Sequence, residues 1–345
     1  MMAGRGAHMA AVGGPARHIP VMLSEVLRAL EPNASAIIVD GTFGAGGYSK
    51  AILQAADCKV IAIDRDAEAI AAGHALAAEF PSRLKLVTGR FGDMDEIVKR
   101  QGIDAVDGVA LDLGVSSVQL DEAERGFSFM KEGPLDMRMG KEGPSASDIV
   151  NTLSAGELAE IISKLGEDGR SRAIAKAIVA RRAEAPIETT KELSDIVARV
   201  LGRKRDEAKH PATRTFQALR LYLNEELEEL AHGLSAAERL LKAGGRLAVV
   251  TFHSLEDRIA KRFFASRSTP APRGSRHLPN TSGAAFAPSF RLINRRPIEP
   301  NQSEIRQNPR ARSARLRAAE RTAAPAHGLD LAALGVPQIS FLHVS

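Results

Sequence analysis

At 345 residues the chain is longer than one minimal core needs, so a large domain with a second, smaller unit is expected. Hydrophobic content of 44% with 26% charged residues excludes wholesale disorder, and a lone cysteine, Cys58, excludes an internal disulfide or thiolate metal cluster and fits a reducing compartment. Of the formal charge of +5, residues 267–321 hold twelve Arg, no Lys and three Glu, a net of +9 that leaves about −4 elsewhere and predicts an anionic partner.

Residues 1–17 are rich in Gly and Ala without periodicity and read as a disordered leader. They contain no signal-peptide core, and no later run approaches the ~20 apolar residues of a membrane span, so a cytoplasmic protein with no membrane partner is expected. From His18 the pattern alternates. Short apolar strands are predicted over Ala36–Asp40, Lys59–Asp64, Leu84–Thr88 and Val106–Leu113, with helices over Gly47–Ala56, Ala67–Glu79 and Met94–Arg100 between them. Apolar strands buried on both faces and joined through helices imply a parallel sheet with right-handed crossovers, that is, a doubly wound α/β domain.

Residues 121–210 carry only helical signals. Ser154 with Glu157 and Thr189 with Glu192 form capping boxes, and Ile174, Ile178 and Ile196, Val200 recur at helical spacing. An inserted all-helical domain is therefore expected between two parts of the α/β domain, residues 18–120 and 211–324. Its charged loops are placed at Lys131–Pro144 and Gly202–Lys209. Next, Phe216, Leu219, Leu223, Leu227, Leu230 and Leu234 predict one long amphipathic helix with EELEEL on its outer face, ended by Gly244 and Gly245. Arg246–Phe252 returns to the sheet, Ser268–Pro288 reads as a long loop, and Phe290–Ile298 and Ala314–Arg321 as closing strands. Residues 325–345 form a tail.

The first strand runs into Asp40-Gly41-Thr42-Phe43-Gly44-Ala45-Gly46-Gly47. At the carboxyl end of a strand in such a sheet, a glycine turn lets the backbone approach a ligand and the next helix offers unpaired N–H groups. This turn suits a dinucleotide or S-adenosylmethionine (SAM). Asp64, at the tip of the second strand, is placed to accept hydrogen bonds from ribose hydroxyls, which both ligands carry. Two features favour SAM: the turn is GxGG rather than GxGxxG, and Asp40 would repel a pyrophosphate but suit a sulfonium and an ammonium. Phe91, after the third strand, either walls the adenine or is an ordinary core phenylalanine.

The fourth strand ends in Asp112-Leu113-Gly114-Val115-Ser116-Ser117, where ligands of such folds react. Many methyltransferases acting on exocyclic amines carry Asp or Asn followed by Pro-Pro and an aromatic here; this chain does not. Asp112 is a candidate to hold a substrate amine, to bind the cofactor amino group or to cap the turn, and Gln119 reaches the same pocket if the loop folds back. His253, in Thr251-Phe252-His253-Ser254-Leu255-Glu256-Asp257, is a candidate to orient or deprotonate the substrate, with Ser254 and Asp257 equally readable as a helix cap.

Seven stretches together resemble the bacterial 16S ribosomal RNA cytosine-N4 methyltransferases: HIPVMLSEVL, VDGTFGAGGYS, AIDRD, LDLGVSSVQLDEAERGFSFMKEGPLDMRM, HPATRTFQALRLYLNEELEEL, TFHSLEDRIAKRFF and NPRARSARLRAAER. The resemblance spans His18 to Arg321. It implies a class I SAM-dependent methyltransferase domain with an inserted helical domain. It also implies cofactor contacts at Gly46, Gly47, Tyr48 (commonly histidine in the family), Asp64, Phe91, Asp112 and Gln119. The implied substrate is a decoding-centre cytosine, cytosine 1402, of 16S rRNA in an assembled or near-assembled small subunit, flipped out of its stack to reach the methyl. Arg310, Arg312, Arg315 and Arg317 are expected to grip phosphates. An NAD-dependent dehydrogenase would share the glycine turn and Asp64, and a non-catalytic RNA-binding protein would account for the basic segment. Monomer and homodimer both remain open.

Overall fold

The computed structural model describes residues 20–202, 210–269 and 287–340. The expected leader, nearly all of the Gly202–Lys209 loop and most of Ser268–Pro288 lie outside the described residues.

The first half runs α1 (Leu23–Leu30), β1 (Ile37–Asp40), α2 (Gly47–Ala55), β2 (Lys59–Asp64), α3 (Ala67–Glu79), β3 (Leu84–Thr88), α4 (Met94–Lys99) and β4 (Val106–Asp112). Each predicted boundary in this region holds to within one residue. Helices follow: α5 (Ser117–Asp121), α6 (Ala146–Thr152), α7 (Ala155–Gly166), α8 (Ser171–Arg182), α9 (Thr190–Leu201), α10 (Thr213–Leu223) and α11 (Glu226–Leu240). The chain closes with β5 (Leu241–Thr251), α12 (Ser254–Ser268), β6 (Phe290–Leu292), α13 (Gln302–Gln307), β7 (Arg315–Arg321) and α14 (Leu331–Leu334). Among the described residues no helix is long and apolar enough to cross a membrane.

The seven strands form one sheet in the order β3-β2-β1-β4-β5-β7-β6. The first five are parallel, but β7 runs antiparallel to both β5 and β6, so the sheet is mixed rather than wholly parallel. This is a doubly wound α/β, Rossmann-like sheet. Alternate strand residues enter two separate cores. Val39, Ile61, Ile63, Val109, Leu111, Leu247 and Val249 pack with α4, α11 and α12; Ile38, Val60, Ala62, Ala110, Ala248 and Val250 pack with α1, α2 and α3. On the second face a row of small residues crosses the sheet in register, Ala62, Asp40, Ala110, Ala248 and Ala318, which lets the helices there approach closely.

Between β4 and β5 the capping boxes at Ser154/Glu157 and Thr189/Glu192 are present, with a further one at Ser145/Asp148. The helical packing continues past residue 210. Gly166 of α7 lies so close to α10 that a Cβ there would come 2.8 Å from the Arg214 carbonyl oxygen. The single long helix expected over Phe216–Leu234 is two helices, broken at Asn224–Glu225, where Glu225 takes φ 52°. Helix α11 is buried nearly all round, so EELEEL is not an outer face, and it ends at Leu240; Gly244 and Gly245 lie inside β5. Ile298 makes only an isolated bridge to Leu316 rather than extending β6.

The tail packs on the body. Leu334 and Val336 are buried, Lys164 on α7 donates to the Gln338 carbonyl oxygen at 2.5 Å, and the Ser340 N–H donates to Glu160 at 3.0 Å.

Candidate functional site

The carboxyl ends of β1, β2, β4 and β5 open into one cleft of ≈ 390 Å³. It sits where the loops leaving β1 and β4 diverge, at the topological switch point of the sheet. Gly44, Ala45, Gly47, Tyr48, Asp64, Phe91, Asp112, Gln119, His253 and Arg310 all line it. Gly46, Arg312, Arg315, Arg317 and Asp40 do not.

Gly46 supports the cleft from behind. It is the residue before α2, at φ 76°, and a Cβ there would come 2.9 Å from the Phe43 ring and 2.7 Å from Leu76. Its conformation shapes the turn that carries the residues on either side of it into the cleft. The Tyr48 hydroxyl is likewise committed, donating to the Val21 carbonyl oxygen at 2.6 Å and so tying the start of α2 to the segment before α1.

Asp40 departs most from expectation. Its register in the alanine row turns it toward α2, where it is fully buried and accepts from the Ser49 hydroxyl at 2.7 Å and the Thr42 N–H at 3.3 Å. It therefore acts on a ligand only through its field. Burial pushes its carboxyl up to about 6, against 3.8 for the ordinary side chain. Since the folded value is the higher one, stability is greatest below pH 4 and is lost as pH rises toward 6. The stability gained on Asp40→Asn should thus be about 2 kcal/mol larger at pH 7.5 than at pH 4, since at pH 4 the unfolded carboxyl is already partly ionised. Denaturant melts at the two pH values measure this, and a pH-independent difference would contradict it.

Asp64 ends β2 beside the turn. Its Oδ2 accepts from the Gly44 N–H at 2.7 Å and its Oδ1 from the Asp66 N–H at 2.8 Å, which fixes the glycine turn against β2. Each oxygen retains acceptor capacity and the residue lines the cleft, as binding a ribose diol requires.

Asp112 lies one row beyond Asp40 on the same face of the sheet. The Thr42 hydroxyl accepts its backbone N–H at 2.7 Å and sets the end of β4 against the turn. Its Oδ1 is buried without a hydrogen-bond partner. Burial, then the charges of Asp40 and Glu256, push its carboxyl well above the usual range. Three carboxyl groups under one cleft favour a cationic ligand over a pyrophosphate. A SAM sulfonium and ammonium fit this donor-poor, carboxyl-lined floor, and Asp112 Oδ1 is a buried acceptor with no donor.

Gln119 folds back into the cleft as expected, but its amide works within the protein. Its Oε1 accepts from the Ser116 N–H at 3.0 Å, closing a capping box, and its Nε2 donates to Asp66 at 3.0 Å, fastening the Asp112 loop to the start of α3. The helix cap at α12 is His253 with Glu256, one residue earlier than the Ser254/Asp257 pair. His253 Nδ1 accepts the Glu256 N–H at 3.4 Å, so the neutral ring carries its proton on Nε2, which lies 3.0 Å from Glu256 Oε1 without a hydrogen-bond geometry. In that tautomer Nε2 carries a donor rather than an acceptor. Glu256 is buried, yet His253, the Phe252 N–H and Arg220 hold its carboxyl below the ordinary value.

The arginines divide. Arg310 reaches the cleft rim and pairs with Asp121 at 2.9 Å, and Arg312 is exposed. Arg315 and Arg317 alternate along β7 onto the α12 face, where both meet Asp257 at 3.1 and 2.8 Å. The Arg317 side chain is 13% exposed, so its first partner is this carboxylate rather than a phosphate.

Sequence reasoning missed two features of the cleft. Thr213, Gln217 and Arg220 present one face of α10 to it, with Arg220 held by Glu226 at 2.7 Å. Glu229 of α11 enters from the opposite wall: its Oε2 receives Arg65 at 3.1 Å and Arg90 at 3.0 Å, while its Oε1 is buried and unpartnered. The Phe91 ring rests on Gly233 of the same helix, where a Cβ would intrude to 2.3 Å.

A family model described as the MraW methylase family matches residues 15–322. The chain is 60% identical over 318 residues to the protein of Parvibaculum lavamentivorans named ribosomal RNA small subunit methyltransferase H, covering 92% of this chain and 93% of that one. It is also 60% identical over 317 residues to the protein of that name from Azorhizobium caulinodans, covering 92% and 90%. Among solved structures, an rRNA methylase from Streptococcus thermophilus aligns with TM-score 0.39 at 10% identity, covering 91% of this chain and 99% of that one. A putative rRNA-methylase from Clostridium thermocellum aligns with TM-score 0.41 at 14% identity, covering 88% and 99%.

Proposed function

This chain belongs to the MraW methylase family, and from that premise we propose that it methylates the exocyclic N4 of one cytosine, cytosine 1402, in 16S rRNA of the small ribosomal subunit. It is a SAM-dependent rRNA methyltransferase. The observation that carries the choice of acceptor is the buried, unpartnered Asp112 Oδ1 on the cleft floor.

The amine of cytosine is a weak nucleophile because its lone pair is delocalised into the ring. SAM, when bound, supplies an electrophilic methyl on a sulfonium. Asp112 accepts an N4–H hydrogen bond, which returns electron density to the nitrogen and fixes its line of approach. On methyl transfer to N4 the displaced N4 proton would pass to Asp112, which would hold the amine until then. Burial has already raised the proton affinity of that carboxylate. We assign to His253, whose ring is held by the α12 cap, the orienting of the base rather than the receipt of its proton. The base must leave its stack to enter a cleft of this depth, which restricts the substrate to a flipped or single-stranded nucleotide.

Arg310 and Arg312 are the phosphate contacts that the geometry favours. Changing each to Ala should weaken small-subunit binding several-fold and reduce the slope of log affinity against log salt by about 1 per residue; Arg317→Ala should leave that slope unchanged and lower stability instead. Filter binding across a salt series separates the two. The decisive assay is transfer of a labelled methyl from SAM to small subunits that lack the mark, followed by mass mapping of the 16S rRNA. Absence of transfer, or a mark on an atom other than cytosine N4, would overturn the assignment.

A further inference from the structure

We infer that Glu229 is the residue that recognises the 6-amino group of the cofactor purine, its free Oε1 accepting an N–H from that amine. The inference rests on the reading that this cleft binds SAM.

Glu229 is 4% exposed, yet one of its two carboxyl oxygens has no hydrogen-bond partner and the residue lines the cleft. The other oxygen is saturated by two guanidinium groups, Arg65 Nη1 and Arg90 Nε. Arg65 also donates to the Asn224 carbonyl oxygen at 2.7 Å, and Arg90 to Glu225 at 2.8 Å, so the carboxylate cannot swing to share its second oxygen with them. A carboxylate held in this way is an acceptor, and what meets Oε1 must be a donor. A buried acceptor left unsatisfied costs about as much as a lost hydrogen bond, which makes this atom a poor candidate for a purely structural one.

Three donor groups of SAM have to be placed. The ribose hydroxyls belong with Asp64 at the end of β2, and the ammonium with the carboxyl groups beneath the cleft, Asp112 Oδ1 being left to the amine of the acceptor base. The purine amine remains, and Glu229 stands beside the aromatic wall that a purine would use. The Phe91 ring rests on Gly233, one turn along α11 from Glu229, and a Cβ on Gly92 would come 3.6 Å from the Glu229 Cγ. A purine stacked on Phe91 therefore presents its edge to α11. A 6-oxo purine presents a carbonyl acceptor at that place instead of a donor.

The test uses the full chain and two ligands that differ at the purine 6 edge: S-adenosylhomocysteine, with a 6-amine, and S-inosylhomocysteine, with a 6-carbonyl and a hydrogen on N1. In calorimetric titrations the wild-type protein should bind the amine about 10–100-fold more tightly, because the carbonyl both loses the hydrogen bond and faces a carboxylate. In Glu229→Gln, whose carboxamide can donate to the carbonyl, the ratio should fall to within about threefold. Glu229→Asp keeps the charge that Arg65 and Arg90 need but shortens the reach, and its ratio should fall too. A merely structural role would weaken both ligands alike and leave the ratio unchanged, which would overturn the assignment, as would a wild-type protein that binds both ligands equally. A wild-type protein that binds neither sinks the SAM reading itself, and this assignment falls with it.

Discussion

Replacing Asp112 with Ala is expected to lower kcat for methyl transfer by roughly 10²–10³-fold, the range seen when one preorganised transition-state contact is lost. Affinity for SAM should change by less than about tenfold, since the ligand keeps its ribose and purine contacts. Asp112→Asn should behave similarly: it retains an acceptor oxygen but cannot take the amine proton. Both variants should be more stable than the wild-type chain without ligand, because the buried, unpartnered Oδ1 is a cost that the fold carries for function. Single-turnover kinetics at saturating SAM, paired with calorimetry, check the split. A large loss of SAM affinity with kcat intact would instead make Asp112 the partner of the cofactor amino group.

Replacing Asp64 with Ala should act the other way, on binding first. Two charge-assisted hydrogen bonds to a ribose disappear, and SAM affinity should fall by about 100-fold or more. The Gly44 and Asp66 N–H groups also lose their acceptor, so the unliganded protein should lose about 1–3 kcal/mol and the glycine turn should loosen. Asp64→Asn, with one acceptor oxygen left, should fall between the two. Titration calorimetry and urea unfolding report the two effects independently. Equal losses of affinity in Asp64→Ala and in a variant remote from the cleft would show that stability alone was responsible.

The first half of the sheet was legible because short apolar runs bounded by glycine and charge leave little freedom in where strands begin and end. Which way a side chain points was not legible. Strands buried on both faces have no polar face to set the phase, so nothing in the residues around Asp40 showed that it turns toward α2. The same alternation sends Arg315 and Arg317 to Asp257, which composition could not reveal since a run of arginines reads identically on either face. Glu229 was misread for a different reason. A leucine stripe continued across Asn224–Glu225 suggested one helix with an outer acidic face, but the break there resets the helical phase and turns Glu229 inward. Only a signal of paired charges, Arg65 and Arg90 against an acid more than a hundred positions later, would have found it, and such pairing is invisible in one sequence. The cap at His253 was readable in kind but shifted by one residue, because histidine is an uncommon N-cap and Ser254 offered the more familiar one.

The walls of the cleft come from stretches around residues 20, 41–48, 64, 91, 112–119, 213–229, 252 and 308. Even its nearest rim, Pro20–Val21, is held by a hydrogen bond from the Met22 N–H to Glu304, 282 positions away. A nascent chain that has delivered all of β1–β4 thus owns the glycine turn, Asp64 and Asp112 but not the enclosure around them. Loop closure over such separations is slow and is reached late in folding. Cofactor affinity is consequently a property of the finished molecule, and a ligand that binds only there favours completed chains over truncated or half-folded ones by mass action.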